Sequence, residues 1–175
     1  NITTTPVSCF GGTSGAALGA ASGGTGTLDY LWLPSNTPGT TISGLSANTY
    51  TLQITDDNNC VQTQTFSITQ PSAALSVAVS STPVTCFGGS NGTASSVVSD
   101  GTSPYNYNWM AGNISGQNIS GLTAATYTIN VTDFNGCTAT ATKVLSQPAV
   151  ITINTSAATI LNPTCPSNCN GTYQP

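Results

Sequence analysis

The sequence predicts an all-β chain of tandem β-sandwich repeats, each about 77 residues long. Three observations predict it. First, the stretch Thr49–Cys60, TYTLQITDDNNC, returns as Thr126–Cys137, TYTINVTDFNGC, 77 positions on. Second, Tyr, Leu/Ile and Ile/Val alternate with Thr, Gln or Asn in each copy. That is the period of a strand with one face in a core and one in water. Third, turn residues recur at short intervals and no window carries a helical period, the pattern of a sandwich.

The elements follow in order. In the second copy strands are expected near Leu75–Ser81, Gly92–Ser99, Tyr105–Trp109, Ser115–Ile119, Tyr127–Thr132 and Ala139–Leu145, with the first copy 77 residues earlier. Ala16–Ala21 is Ala-rich, but Gly15, Gly19 and Gly23-Gly24 interrupt it, so strand and loop are expected there. Val7-Ser8-Cys9-Phe10-Gly11-Gly12 matches Val84-Thr85-Cys86-Phe87-Gly88-Gly89, Trp32 matches Trp109, Ile42-Ser43-Gly44-Leu45 matches Ile119-Ser120-Gly121-Leu122, and Gln70-Pro71 matches Gln147-Pro148. Asn162-Pro163-Thr164-Cys165 and Asn170-Gly171-Thr172 open a third copy, its cysteine 79 residues after Cys86. The expected units are 1–71, 72–148, and a tail 149–175 that starts a third repeat or serves as a donor strand. The Gln70-Pro71 linker is short enough to couple the first two closely.

Composition excludes several function classes. The chain has 175 residues, one Lys (Lys143), five Asp, no Arg, His or Glu, and a net charge of −4. No basic patch can release counterions, so nucleic acid is not an expected partner. General-base and triad chemistry lack a His. Asp56 and Asp57 are adjacent and point apart on extended backbone, unlike the converging carboxylates of a glycosidase. No enzymatic activity is expected. No apolar run approaches ~18 residues, so no transmembrane segment is expected. Six cysteines in a Thr-rich, charge-poor chain indicate an oxidising, extracellular setting. No signal peptide is present and Asn1 is not a start residue, as in a mature or excised segment.

The joint order V-[ST]-C-F-G-G, Y-x-W, I-S-G-L, T-Y-T-x-x-[IV]-T-D, N-[NG]-C and Q-P resembles the SprB-type repeat. Such repeats stand in tandem in very large cell-surface adhesins of gliding and other Bacteroidetes. Single pieces are also similar to PKD and fibronectin-type sandwiches. The resemblance covers residues 1–148 and the start of a third unit. It implies secretion, an immunoglobulin-like fold, a role in surface attachment or filaments, and no catalytic residue.

Several residues invite a function. Cys9 and Cys60 are 51 apart, as are Cys86 and Cys137. The pairs Cys9–Cys60 and Cys86–Cys137 respect the repeat symmetry and would staple two small domains, each contributing about 4 kcal/mol in the chain-entropy model. Zinc is the rival, without a His or CxxC pair to support it. Cys165 and Cys169 are left for a local bridge or a link to another subunit. Tyr105, Tyr107 and Trp109 share one side of a strand, as do Tyr30 and Trp32; such a row either stacks on surface glycans or, the favoured reading, fills the core. Asp56-Asp57-Asn58-Asn59 and Asp133-Phe134-Asn135-Gly136 could offer oxygens to Ca²⁺, but tight turns use the same residues, so no cofactor is expected. Asn113-Ile114-Ser115 and Asn130-Val131-Thr132 are glycosylation triplets.

The expected function is structural: a stalk, fibre or filament at a bacterial surface, with an adhesive role. The rival is a glycan-binding module. The expected partners are other copies of the chain or neighbouring repeats of a longer one. Ala149–Leu161 reads as a spare first strand, with Val150, Ile151 and Ile153 as its apolar residues. Ser72–Val77 has no counterpart in the first unit. Together these suggest head-to-tail strand addition.

Overall fold

The computed structural model describes residues 1–153 and the strands 159–161 and 172–174. Fourteen strands build two sandwiches. The first contains β1 (Ile2–Thr5), β2 (Gly15–Gly19), β3 (Leu28–Leu33), β4 (Thr37–Pro38), β5 (Thr41–Leu45), β6 (Asn48–Asp56) and β7 (Val61–Ile68). The second contains β8 (Ser76–Thr82), β9 (Gly92–Ser99), β10 (Asn106–Trp109), β11 (Ile114–Ser115), β12 (Asn118–Leu122), β13 (Thr126–Thr132) and β14 (Thr138–Val144). β15 (Thr159–Leu161) and β16 (Thr172–Gln174) form an antiparallel pair.

In each unit a three-stranded sheet, β1-β2-β5 or β8-β9-β12, faces a four-stranded one, β4-β3-β6-β7 or β11-β10-β13-β14. This is an immunoglobulin-like sandwich. Each core draws on both sheets. In the second unit Ala94, Ile119 and Leu122 meet Trp109, Tyr127, Ile129 and Val131; in the first, Ala17, Ile42 and Leu45 meet Trp32 and Leu52. Along β13 every second residue is buried, as its period predicts. Each fully buried Leu, Ile or Val contributes about 1.5–3 kcal/mol.

The segment expected as one strand over Ser115–Ile119 is two. β11 pairs with β10 and β12 with β9, so the chain changes sheets between Ser115 and Asn118. Gly116, at φ +119°, makes that corner. The Ile-Ser-Gly-Leu motif is a bulge. Ser120 pairs with Thr93 and Leu122 with Gly92, and Gly121, at φ +73°, is passed over. Its counterpart Gly44 is skipped in the same way opposite Gly15 and Ala16. One inserted residue shifts the alternation, so Ile and Leu three apart both turn inward.

Candidate functional site

The two ends of each unit are built by the repeated motifs. At the trailing end, where the chain leaves a unit, the Cys-Phe-Gly-Gly turn is clamped onto the last strand. Val7 N–H donates to Thr69 O (2.8 Å) and Gly11 N–H to Gln70 Oε1 (2.8 Å). In the second unit Val84 donates to Ser146 O (3.0 Å) and Gly88 to Gln147 Oε1 (2.8 Å). This gives the Gln-Pro motif its role: the Gln carbonyl holds the cysteine turn. The turn closes by Gly12 N–H to Cys9 O and Gly89 N–H to Cys86 O, both 3.0 Å. Gly11 and Gly88 stand at positive φ, the conformation that favours glycine.

At the leading end, an Asp carboxylate organises the turn that carries the other cysteine. Asp56 Oδ1 accepts from Cys60 N–H (2.8 Å) and Asn58 N–H (3.0 Å), and Oδ2 from Thr25 N–H (3.0 Å). Asp133 repeats this with Cys137 N–H (2.8 Å) and Thr102 N–H (2.9 Å). The Cys60 amide first, then those of Thr25 and Asn58, hold the Asp56 carboxyl below its ordinary value, against a smaller opposing effect of burial. Asp56 and Asp133 thus direct their carboxylate oxygens to backbone amides, as turn residues do, and Asp57 Oδ1 accepts from the Thr27 hydroxyl. Among the described residues no three His, Cys, Asp or Glu side chains cluster as metal ligands.

The cysteine pairing differs from the sequence expectation. Cys9 of the first unit is bonded to Cys137 of the second, with Cα atoms 5.6 Å apart, while Cys60 and Cys86 are free and exposed. The Cys137 sulfur lies 3.6 Å from the Ser8 carbonyl oxygen. The expected Cys9–Cys60 and Cys86–Cys137 bridges fail for a geometric reason. Cys60 precedes β7, and the Cys9 turn is tied to residues just after it. Eight strand residues span about 25 Å, whereas a disulfide needs Cα atoms within about 7 Å. The two cysteines of one unit are at opposite ends, too far apart to bridge within it. Cys165 and Cys169 lie outside the described residues.

The aromatic row belongs to the core. Trp109 is 0% and Trp32 1% exposed, and their indole N–H groups donate to Gly116 O (3.0 Å) and Gly39 O (2.7 Å). Tyr105 and Tyr107 pack against the core, and Tyr105 donates to Asp100 O (2.9 Å). Of the three residues offered for a glycan platform, Trp109 has no ring face to present to a sugar, while Tyr105 and Tyr107 are half-buried. Tyr50 and Tyr127 donate to the carbonyls of Ser46 and Thr123, four residues back, both at 3.1 Å. These tie the corners that lead into β6 and β13 and were not anticipated from sequence.

A groove marks the leading end of the first unit. Ile2, Ala20–Ser22, Leu52, Ile54 and Gln62–Gln64 line about 490 Å³, and a second recess of about 230 Å³ continues past Gly24 to Cys60. In the second unit, Leu75 and Val77 pack on the core at the equivalent place, Leu75 lying over Gly101, the counterpart of Gly24. β8 pairs with β9 over seven residues, β1 with β2 over four. At the other end of the chain Val150, Ile151 and Ile153 are 53%, 94% and 82% exposed.

A family model, the SprB repeat, matches residues 1–37 and 78–113. One matched segment falls in each unit, so both units are similar to the SprB repeat over their first halves. The matched segments run from the first strand through the cysteine turn to the buried Trp in each unit. SprB repeats belong to cell-surface adhesins, and the match supports a surface repeat protein of adhesin type. Among the described residues no helix is long and apolar enough to cross a membrane. No curated protein matches the chain. Among solved structures, it is similar to the full ectodomain (Ig1–Ig3) of mouse nectin-like molecule 4, at 11% identity and a TM-score of 0.32. That match covers 87% of this chain and 66% of the nectin-like one, just under two thirds.

Proposed function

We propose that this SprB-repeat chain is a structural segment of an extracellular stalk or filament, with an adhesive role, and that copies of it join head to tail by strand addition. One observation carries the reading: the leading end has a groove, floored by Ile2, Leu52 and Ile54 and rimmed by polar residues, at the place Leu75 and Val77 fill in the second unit, while Val150, Ile151 and Ile153 stand exposed beyond the last β-strand of that unit. Laying an extended segment along the groove would satisfy a sheet edge and bury apolar side chains together. Counting from the Gln-Pro pairs, Thr152 and Asn154 align with Leu75 and Val77. A one-residue shift brings Ile151 and Ile153 into those places, and a donated strand takes its register from the apolar pattern. The contact is heterologous and propagates without closing.

Electron microscopy of the purified chain tests this. Fibres are expected from the parent and none from a variant carrying Ile151→Asp and Ile153→Asp. Fibres from that variant would refute strand donation. So would mass spectrometry of native filaments that found one chain running through many repeats.

A further inference from the structure

The bonded pair and the two free cysteines are related by the repeat. Cys86 is the counterpart of Cys9, and Cys60 of Cys137, each 77 positions away. The local frames are alike. The turn carrying free Cys86 has the hydrogen bonds of the turn carrying bonded Cys9: Gly12 to Cys9 O and Gly89 to Cys86 O at 3.0 Å, Gly11 to Gln70 and Gly88 to Gln147 at 2.8 Å. The turn carrying free Cys60 has those of the turn carrying bonded Cys137: Asp56 and Asp133 each accept the cysteine amide at 2.8 Å and return N–H to its carbonyl at 3.1 and 2.9 Å. Even the support behind the first turn is kept with other residues. Ser8 N–H donates to Ser14 Oγ (2.8 Å), and Thr85 N–H to Asn91 Oδ1 (3.1 Å).

Each free cysteine is thus a half of the junction already present between the two units. Cys86 is exposed on the turn at the trailing end, and Cys60 sits at the leading end, where its recess joins the groove. Cys86 is at the far end of the second unit and Cys60 at the near end of the first, so they cannot meet within one chain. A second copy following in the same relation would bring Cys86 of the first copy to Cys60 of the next. We infer that these two residues form an intermolecular disulfide that repeats the Cys9–Cys137 bond along the filament, joining every unit covalently to the one before and the one after. The inference rests on the head-to-tail reading above.

The step balances by thiol–disulfide exchange with a small-molecule disulfide such as oxidised glutathione. The Cys86 thiolate attacks one glutathione sulfur, forms a mixed disulfide and expels one glutathione thiolate. The Cys60 thiolate of the next copy then attacks the Cys86 sulfur and expels the second. The S–S bond of glutathione is reduced and the protein bond formed, and the two cysteine protons end on the expelled thiols. Both cysteines are exposed, as the exchange requires.

The test uses two variants of residues 1–175 in a Cys165→Ser, Cys169→Ser background, one carrying Cys60→Ser and the other Cys86→Ser. Each keeps Cys9–Cys137. In a glutathione redox buffer, neither alone is expected to shift from monomer to dimer on a non-reducing gel. Their mixture is expected to shift, and peptic mapping is expected to find Cys86 joined to Cys60. Dimers from either variant alone in the same amount, or a mixture that stays monomeric, would overturn the inference. Microscopy of the parent separates the two failures: fibres without the Cys86–Cys60 peptide refute the disulfide alone, whereas neither fibres nor peptide refutes the head-to-tail reading as well.

Discussion

Cys9 and Cys137 are bonded across 128 residues of chain, and neither belongs to a hydrophobic core. The bond fixes one sandwich to the next and leaves the interior of both untouched. Reduction, or Cys9→Ser, is therefore expected to leave far-UV circular dichroism and Trp emission unchanged while small-angle scattering reports a larger radius of gyration. A loop of this length stabilises by about 5 kcal/mol in the chain-entropy model, if everything it encloses unfolds at once. Two separate cores imply a smaller effect on each melting transition. Loss of near-UV signal from both Trp residues on reduction would show that the bridge holds the cores after all.

Trp109 is the largest fully buried side chain of the second unit, with its indole N–H satisfied by Gly116 O. Trp109→Ala removes that packing and orphans the carbonyl, and is expected to cost about 3–5 kcal/mol. Denaturant unfolding measures it, with Trp32 reporting the first unit as an internal control. A variant that unfolds like the parent would place Trp109 outside the core.

Much of this fold is legible in the sequence because a half-buried strand writes its burial as alternation. Tyr127, Ile129 and Val131 were readable as inward-facing, and they are. Two features were not readable, for different reasons. The split of Ser115–Ile119 between two sheets depends on which neighbour each half pairs with, and alternation is blind to that. The cysteine pairing is ambiguous under a repeat. Equal spacing inside each unit is equally compatible with bonding inside a unit and with bonding to the next. Only the position of Cys60 at the far end of β7 from the Cys9 turn decides it. Gln70-Pro71 was readable as a short linker, but not as the clamp on the cysteine turn that Gln70 and Gln147 form.

Gly121 carries the bulge that lets Ile119 and Leu122 both face inward. A Cβ there would meet nothing closer than Ser90 O at 4.0 Å, so the constraint is the φ of +73° rather than space. Gly121→Ala is expected to cost about 1–2 kcal/mol, the penalty of the left-handed region for a residue with a side chain. Gly121→Asn is expected to cost less. Equal losses for both, measured in urea, would point to a steric cause instead.

Asp56 links stability to pH. In the folded protein its carboxyl is held below the ordinary value of 3.8, first by the Cys60 amide and then by those of Thr25 and Asn58. A carboxyl with a lowered folded value stabilises the protein above its unfolded value, and that contribution is lost as pH falls through the folded one. The loss therefore begins near pH 3.8 and continues below it. Asp56→Asn keeps an acceptor oxygen but no charge. It is expected to lower stability of the first unit at neutral pH and to flatten its dependence below pH 4. Thermal melts of parent and variant between acid and neutral pH check this. Parallel curves, with the variant as steep in acid as the parent, would assign the acid sensitivity to another carboxylate.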